Sequence, residues 1–340
     1  MITGFKRFFA TIFLIIFVIA AAVIYIYGNY DFLPGQKDNS LLRGVRVTNH
    51  FKIIISPTEL KRIRNTGFNT VLISPKGYYF NGRVYSVPFT YTLIGIATKR
   101  AHAAGLKVAL QPELVILSRS ELPISERLPL DFLLTWHQRW AKQAEKAGIE
   151  YFIISPSAYR SVAREVENDW LLETLKEIKT YYSGKTGFLI NHLFCNNGSS
   201  SIEMQLFCLE KSLTGRSVHV YLPELKGFDF IVYELYPPAE TKNLSLFVVD
   251  AARIDRVLRK YALRKGLGEV VYAGINLPLY GVKNSSLYNI PLATKKEQVL
   301  YLEKMIQFLN QNKAGFIIYD WDSETFELDR TAVQKQKAGN

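Results

Sequence analysis

One unit recurs along this chain: an amphipathic helical pattern, a glycine, then a short apolar run. Seven such runs follow an opening apolar segment at Gly44–Asn49. Eight strands alternating with helices predict an α/β fold, a (β/α)8 TIM barrel. The 340-residue length suits a barrel of about 250 residues plus additional segments. A doubly wound sheet is the alternative. Against it, no Gly-rich phosphate loop follows Gly44-Val-Arg-Val-Thr-Asn-His.

Before the barrel comes a stretch of different composition. Phe8 to Tyr27 carry no charge over twenty positions, enough to cross a bilayer core as a helix. Lys6 and Arg7 precede it, which directs the N-terminus to the cytoplasm and the rest outside. A cleaved signal peptide is the competing reading, but the apolar run continues past Ala20-Ala21-Ala22 and exceeds the roughly 7–15 residues of such a core. The expected organisation is a cytoplasmic end at 1–7, a transmembrane signal anchor at 8–27 and a linker at 28–42. The barrel then occupies 43–325 and a tail 326–340.

The strands read in order from Gly44–Asn49 to Asn69–Ser74, Lys107–Gln111 and Glu150–Ser155. Then come Thr186–Asn191, Asp229–Glu234, Glu269–Ile275 and Phe316–Asp320. The glycines before them, Gly67, Gly105, Gly148, Gly184, Gly227, Gly266 and Gly315, are expected as left-handed helix caps. Between strands, Asp131–Lys146 places Leu133, Leu134, Trp136, Trp140 and Ala144 near helical spacing. A second helix is expected over Asn168–Tyr182. Thr294 with Glu297 is a capping-box pattern ahead of the stripe Val299, Leu302, Met305, Ile306 and Leu309.

Composition narrows the function classes. Hydrophobic residues make up 48% and aromatics 13%, so a large core is available. The formal net charge of +12 permits anionic partners, but the basic residues are spread over helices. No nucleic-acid motif accompanies them. The five histidines show no metal spacing, and no Gly-x-Ser-x-Gly elbow is present. Neither a cofactor nor a metal is expected. Cys195 and Cys208 flank a polar stretch and, outside the cell, read as a disulfide staple, with two unpaired thiols as the alternative. Sequons at Asn197, Asn243 and Asn284 agree weakly with that side of the membrane.

In a barrel, chemistry sits at the C-terminal ends of the strands. Those ends carry Asn49 and His50, Tyr79, Glu113, Tyr159, Asn191 and His192. Further on come Tyr233, Glu234 and Tyr236, then Asn276, and finally Asp320 and Trp321. Aromatic faces stack on sugar rings, while Asn, His and carboxylates bond sugar hydroxyls. Two carboxylates flanking a glycosidic bond can protonate the leaving oxygen and attack or activate water. Glu234 with Glu113 or Asp320 are the catalytic candidates. The other residues named are candidate sugar contacts.

At these residues the chain resembles the retaining (β/α)8 glycoside hydrolases, particularly the mannanase-like family 113. The matching pieces are Gly44-Val-Arg-Val-Thr-Asn, Asn65-Thr-Gly-Phe-Asn-Thr-Val and Ala101-His-Ala-Ala-Gly-Leu-Lys-Val-Ala-Leu-Gln-Pro. Ala144-Glu-Lys-Ala-Gly-Ile-Glu-Tyr-Phe and Phe228-Asp-Phe-Ile-Val-Tyr-Glu-Leu-Tyr-Pro complete them. The resemblance implies a Glu after strand four as acid/base and a Glu after strand seven as nucleophile. Here those positions fall near Ser157 and Gly274, and neither is acidic.

Three readings follow. The chain is a glycoside hydrolase with a relocated pair, a barrel that binds glycan without cleaving it, or a structural subunit of a membrane or surface assembly. Carbohydrate, the membrane and other surface proteins are the corresponding partners.

Overall fold

A computed structural model describes residues 41–47, 56–80, 83–86, 90–116, 130–155, 164–190, 225–235, 247–275 and 294–319. Among them are eleven strands. These are β1 (Arg43–Val47), β2 (Thr70–Ile73), β3 (Lys76–Phe80), β4 (Arg83–Ser86), β5 (Lys107–Leu110) and β6 (Glu113–Ile116). They continue as β7 (Tyr151–Ile154), β8 (Lys185–Ile190), β9 (Phe230–Glu234), β10 (Glu269–Ala273) and β11 (Gly315–Ile318). Six helices are described: α1 (Pro57–Asn65), α2 (Thr90–Ala103), α3 (Leu130–Ala147), α4 (Arg164–Tyr181), α5 (Phe247–Lys265) and α6 (Lys295–Gln311).

Eight strands close into a parallel barrel in the order β1-β11-β10-β9-β8-β7-β5-β2. All eight are the segments expected from the apolar runs, displaced by at most two residues at an end. Side chains alternate between the barrel interior and the helix layer. Leu42, Leu72, Ala109, Tyr151, Ile153, Leu189, Phe230, Val232, Val271 and Ile317 fill the interior. Within it Tyr151 meets Phe230 edge to face, with ring centroids 5.9 Å apart. The intervening residues, such as Val71, Val108, Phe152 and Ile231, are fully buried on the other side of the wall.

The N-terminal end of the barrel is held by side chains that take backbone N–H groups. Arg43 N donates to Asn69 Oδ1 at 2.9 Å, and Val108 N donates to Glu150 Oε2 at 2.8 Å. Thr186 N donates to Asp229 Oδ2 at 2.7 Å, and Leu42 N to Glu269 Oε1 at 3.4 Å. Burial pushes the Glu269 carboxyl upward, opposed by the Leu42 N–H and by Lys185 and Lys107. Three carboxylates are therefore committed to closing this face.

Five of the seven cap glycines, Gly67, Gly105, Gly148, Gly227 and Gly266, have positive φ as expected. Gly184 and Gly315 differ. Gly315 lies within β11, where an added Cβ would meet Glu269 Oε1 and the Leu42 carbonyl, so close approach selects the glycine. The left-handed residue before that strand is Lys313, at φ 48°. On the outside, Tyr272 donates to Asp255 Oδ1 at 2.7 Å, and Arg259 Nε donates to both Asp255 oxygens at 2.8 Å, tying α5 to β10. The capping box forms: Thr294 Oγ1 accepts from Glu297 N at 3.3 Å and Glu297 Oε2 accepts from Thr294 N at 2.8 Å.

A separate three-stranded sheet, in the order β4-β3-β6, was not anticipated; its residues read as loops at the ends of strands two and three. Among the described residues no helix is long and apolar enough to cross a membrane. The expected span at Phe8–Tyr27 lies outside the described residues.

Candidate active site at the C-terminal mouth of the barrel

Alternation decides what each strand offers the mouth. Leu42, just before β1, faces inward, so Arg46 four residues on does too. By the same count Ser74 after β2, Gln111 after β5, Ser155 after β7, Glu234 on β9 and Tyr319 after β11 line the mouth. Gln111, Ser155, Glu234 and Tyr319 are all at most 9% exposed. A buried polar ring above an apolar interior costs desolvation unless its members bond each other or a ligand.

Part of the ring is internally bonded. The Arg46 guanidinium stacks over the Tyr319 ring, 3.8 Å from its centroid. Arg46 Nη1 lies 3.4 Å from Glu113 Oε1, and Gln111 Nε2 donates to the same oxygen at 3.3 Å. Glu113 thus belongs to the mouth although it sits on β6, above the third barrel strand. Among the described residues, Gln111 Oε1 and Ser74 Oγ have no hydrogen-bond partner. The Gln111 side chain donates to Glu113, and its acceptor is buried without a partner among the described residues.

Glu234 ends the sixth barrel strand, paired in register with Ala273 of the seventh. It is 9% exposed and faces the interior alongside Val232. Counting round the barrel, β7 and β8 separate β5 from β9. Glu113 and Glu234 therefore rise from opposite sides of one opening. With Glu150, Asp229 and Glu269 at the other end, these are the described carboxylates that the strands deliver to the mouth.

Two expected sugar contacts turn away from it. Tyr233 alternates to the helix side, buried and in register with Tyr272. Tyr79 packs on Phe132 of α3, with centroids 5.6 Å apart, on the outer face of the small sheet. Asn49, His50, Tyr159, Asn191, His192, Tyr236, Asn276, Asp320 and Trp321 lie outside the described residues, as do Cys195 and Cys208. Arg46 and Tyr319 went unselected in the sequence. The signal was present: an arginine between two core valines, and a tyrosine two residues past Ile317, are polar groups at interior parity. Among the described residues no cluster of His, Cys, Asp or Glu could hold a metal ion.

The seventh barrel strand ends Ala273-Gly274-Ile275, with Gly274 at φ 70° and Ile275 fully buried. The fourth ends at Ile154 with Ser155 following. Neither described end supplies an acid.

No family model and no curated protein matches this chain. Solved structures do. A GH113 β-1,4-mannanase superposes with a TM-score of 0.58 at 14% identity, covering 88% of this chain and 100% of that one. The GH113 β-mannanase AaManA of Alicyclobacillus acidocaldarius gives 0.59 at 18%, covering 87% and 91%. Cel5A of Thermotoga maritima, solved with mannotriose, gives 0.57 at 12%, covering 89% and 99%. At such identities the likeness establishes the fold: this chain carries the eight-stranded parallel barrel of the glycoside hydrolases that resemble it.

Proposed function

We propose that this chain is a glycoside-hydrolase-like barrel that acts on a polysaccharide at its C-terminal mouth, using Glu234 and Glu113. The observation that carries this reading is their placement. In the enzymes the sequence resembles, the acid/base and nucleophile follow strands four and seven, three of eight strand positions apart. Here the two mouth carboxylates follow strands three and six, also three apart. The arrangement keeps the three-strand offset round the barrel and rotates it by one strand.

The roles follow from surroundings. Arg46 neutralises Glu113 and favours its ionised form, which suits a nucleophile or a base that activates water. Glu234, across the opening, takes the complementary part and protonates the glycosidic oxygen. A carboxylate separation of about 5 Å predicts retention at the anomeric carbon and about 6.5–9.5 Å predicts inversion. The N-terminal anchor and an extracytoplasmic barrel belong to the same proposal, resting on the apolar run at Phe8–Tyr27.

One observation favours a second reading, a barrel that binds glycan without turnover: the buried Ile275 closes the end of the seventh strand, where a nucleophile would stand. The test is hydrolysis of β-mannan and β-glucan oligosaccharides by the full chain in detergent, beside Glu234→Gln and Glu113→Gln. Turnover in the wild type, lost in both variants with sugar affinity retained, is expected. Full activity in Glu234→Gln would remove that residue from catalysis, and binding without turnover in all three would establish the second reading.

A further inference from the structure

The small sheet is a continuation of the barrel wall. Ile73 pairs with Leu110 in the barrel and Lys76 pairs with Glu113 above it; both pairs are 37 residues apart (110 − 73 and 113 − 76). Gln111 N donates to the Ile73 carbonyl at 3.0 Å and Glu113 N to the Pro75 carbonyl at 2.9 Å, so the ladder passes Pro75 and Pro112 without a slip. With register kept, the faces keep their identity. The side that carries Glu113 is the side that faces Arg46 and the mouth.

That assigns the remaining residues of the sheet. Gly77, Tyr79 and Leu114 are on the outer side, against Phe132 and Trp136 of α3. Lys76 and Tyr78 share the mouth side with Glu113. Tyr85 and Arg83 join them from β4, because Tyr78 pairs with Tyr85 and Phe80 with Arg83. The result is a raised lip whose mouth-facing side carries two cross-strand tyrosines, 36% and 53% exposed, between an exposed lysine and an exposed arginine. Among the described residues no carboxylate pairs with Lys76 or Arg83, and Glu113, the acid of this face, is engaged by Arg46.

We propose that this lip is a distal subsite for an acidic polysaccharide, one whose sugar rings lie on Tyr78 and Tyr85 and whose carboxylates meet Lys76 and Arg83. The proposal rests on the glycan-acting reading of the mouth and names its substrate class. Paired strands place the two tyrosine Cβ atoms about 5 Å apart, and the strip they form continues toward Glu113 at the opening. Tyrosines alone would accept any glycan. A lysine and an arginine flanking them on one face select a negatively charged one, and the guanidinium fits a carboxylate with two parallel donors.

The test compares binding of the full chain to polymannuronate, neutral β-mannan and inorganic polyphosphate, by affinity electrophoresis at several salt concentrations. Lys76→Gln with Arg83→Gln is expected to weaken polymannuronate binding by roughly tenfold or more and to flatten its salt dependence, with mannan affinity nearly unchanged. Tyr78→Ala with Tyr85→Ala is expected to weaken both polysaccharides and leave polyphosphate alone. Lys260→Gln with Lys296→Gln, which removes the same charge from exposed positions on α5 and α6, is expected to change nothing. Equal effects from the lip and helix charge variants would overturn the proposal, as would wild-type binding to mannan as tight as to polymannuronate. Turnover lost in Glu234→Gln with no effect from the lip variants would defeat the lip alone. No turnover anywhere, with the lip variants behaving as expected, would defeat catalysis alone.

Discussion

The coupling between Arg46 and Glu113 can be measured directly. Their closest atoms are 3.4 Å apart, and the side chains are 20% and 16% exposed. At an effective dielectric constant of 20 the gross attraction at that distance is about 5 kcal/mol. Desolvation of both ions cancels most of it. Exposed pairs are worth about 0.2–1 kcal/mol, and losing one partner of a fully buried pair costs about 3–5 kcal/mol. A pair four-fifths buried, with Gln111 still donating to the carboxylate, belongs between these limits, so the coupling should be about 1–2 kcal/mol. Arg46→Met should cost more than Glu113→Gln, because it also removes the stack on Tyr319, worth roughly another 1 kcal/mol. Urea unfolding followed through the buried Trp136, Trp140 and Trp170 supplies the four corners of the cycle. A coupling energy below about 0.3 kcal/mol, the ordinary scatter of independent sites, would refute the ion pair and with it the reason for assigning Glu113 the ionised role.

Two predictions concern stability and topology. His137 is fully buried on α3, donates from Nδ1 to the Leu133 carbonyl at 2.8 Å, and is held down at about 4 chiefly by burial. Its folded value lies below the ordinary 6.5, so the stability it brings is fully present above pH 6.5 and is lost as pH falls through 4. The wild type should lose about 3 kcal/mol over that window relative to His137→Asn, and parallel stability–pH curves for the two would sink the argument. If the barrel is extracytoplasmic, Cys195 and Cys208 are bonded in the unreduced chain, which should then take up no maleimide after unfolding. Two alkylated thiols would contradict both the staple and the oxidising compartment.

The repeating unit was legible because it is local. A glycine after an amphipathic helix and before an apolar run marks a chain reversal whatever the strand later pairs with, and the period of each pattern reports the element directly. The Thr294–Glu297 box was legible for the same reason, since both partners lie within one helical turn. Glu113 and Glu234 stood out as acids at strand ends, and the mouth is where the structure places them.

What residues alone left undecided was side and level. Tyr78 and Tyr79 are neighbours in sequence, yet one faces the mouth side and the other packs under α3, because a strand turns successive side chains to opposite faces. Which of the two faces the mouth depends on the register of β3 against β6, and those strands are paired across more than thirty residues of chain. Tyr233 and Glu234 divide in the same way between helix layer and interior. The acids divide by level: Glu150, Asp229 and Glu269 take N–H groups at the closed end, while Glu113 and Glu234 rise to the open one. Composition and periodicity assigned the eight strands and the order in which they alternate with helices. Only closure of the barrel, which sets each strand against a particular neighbour at a particular height, brought Arg46 onto Glu113 and made a lip of three short strands.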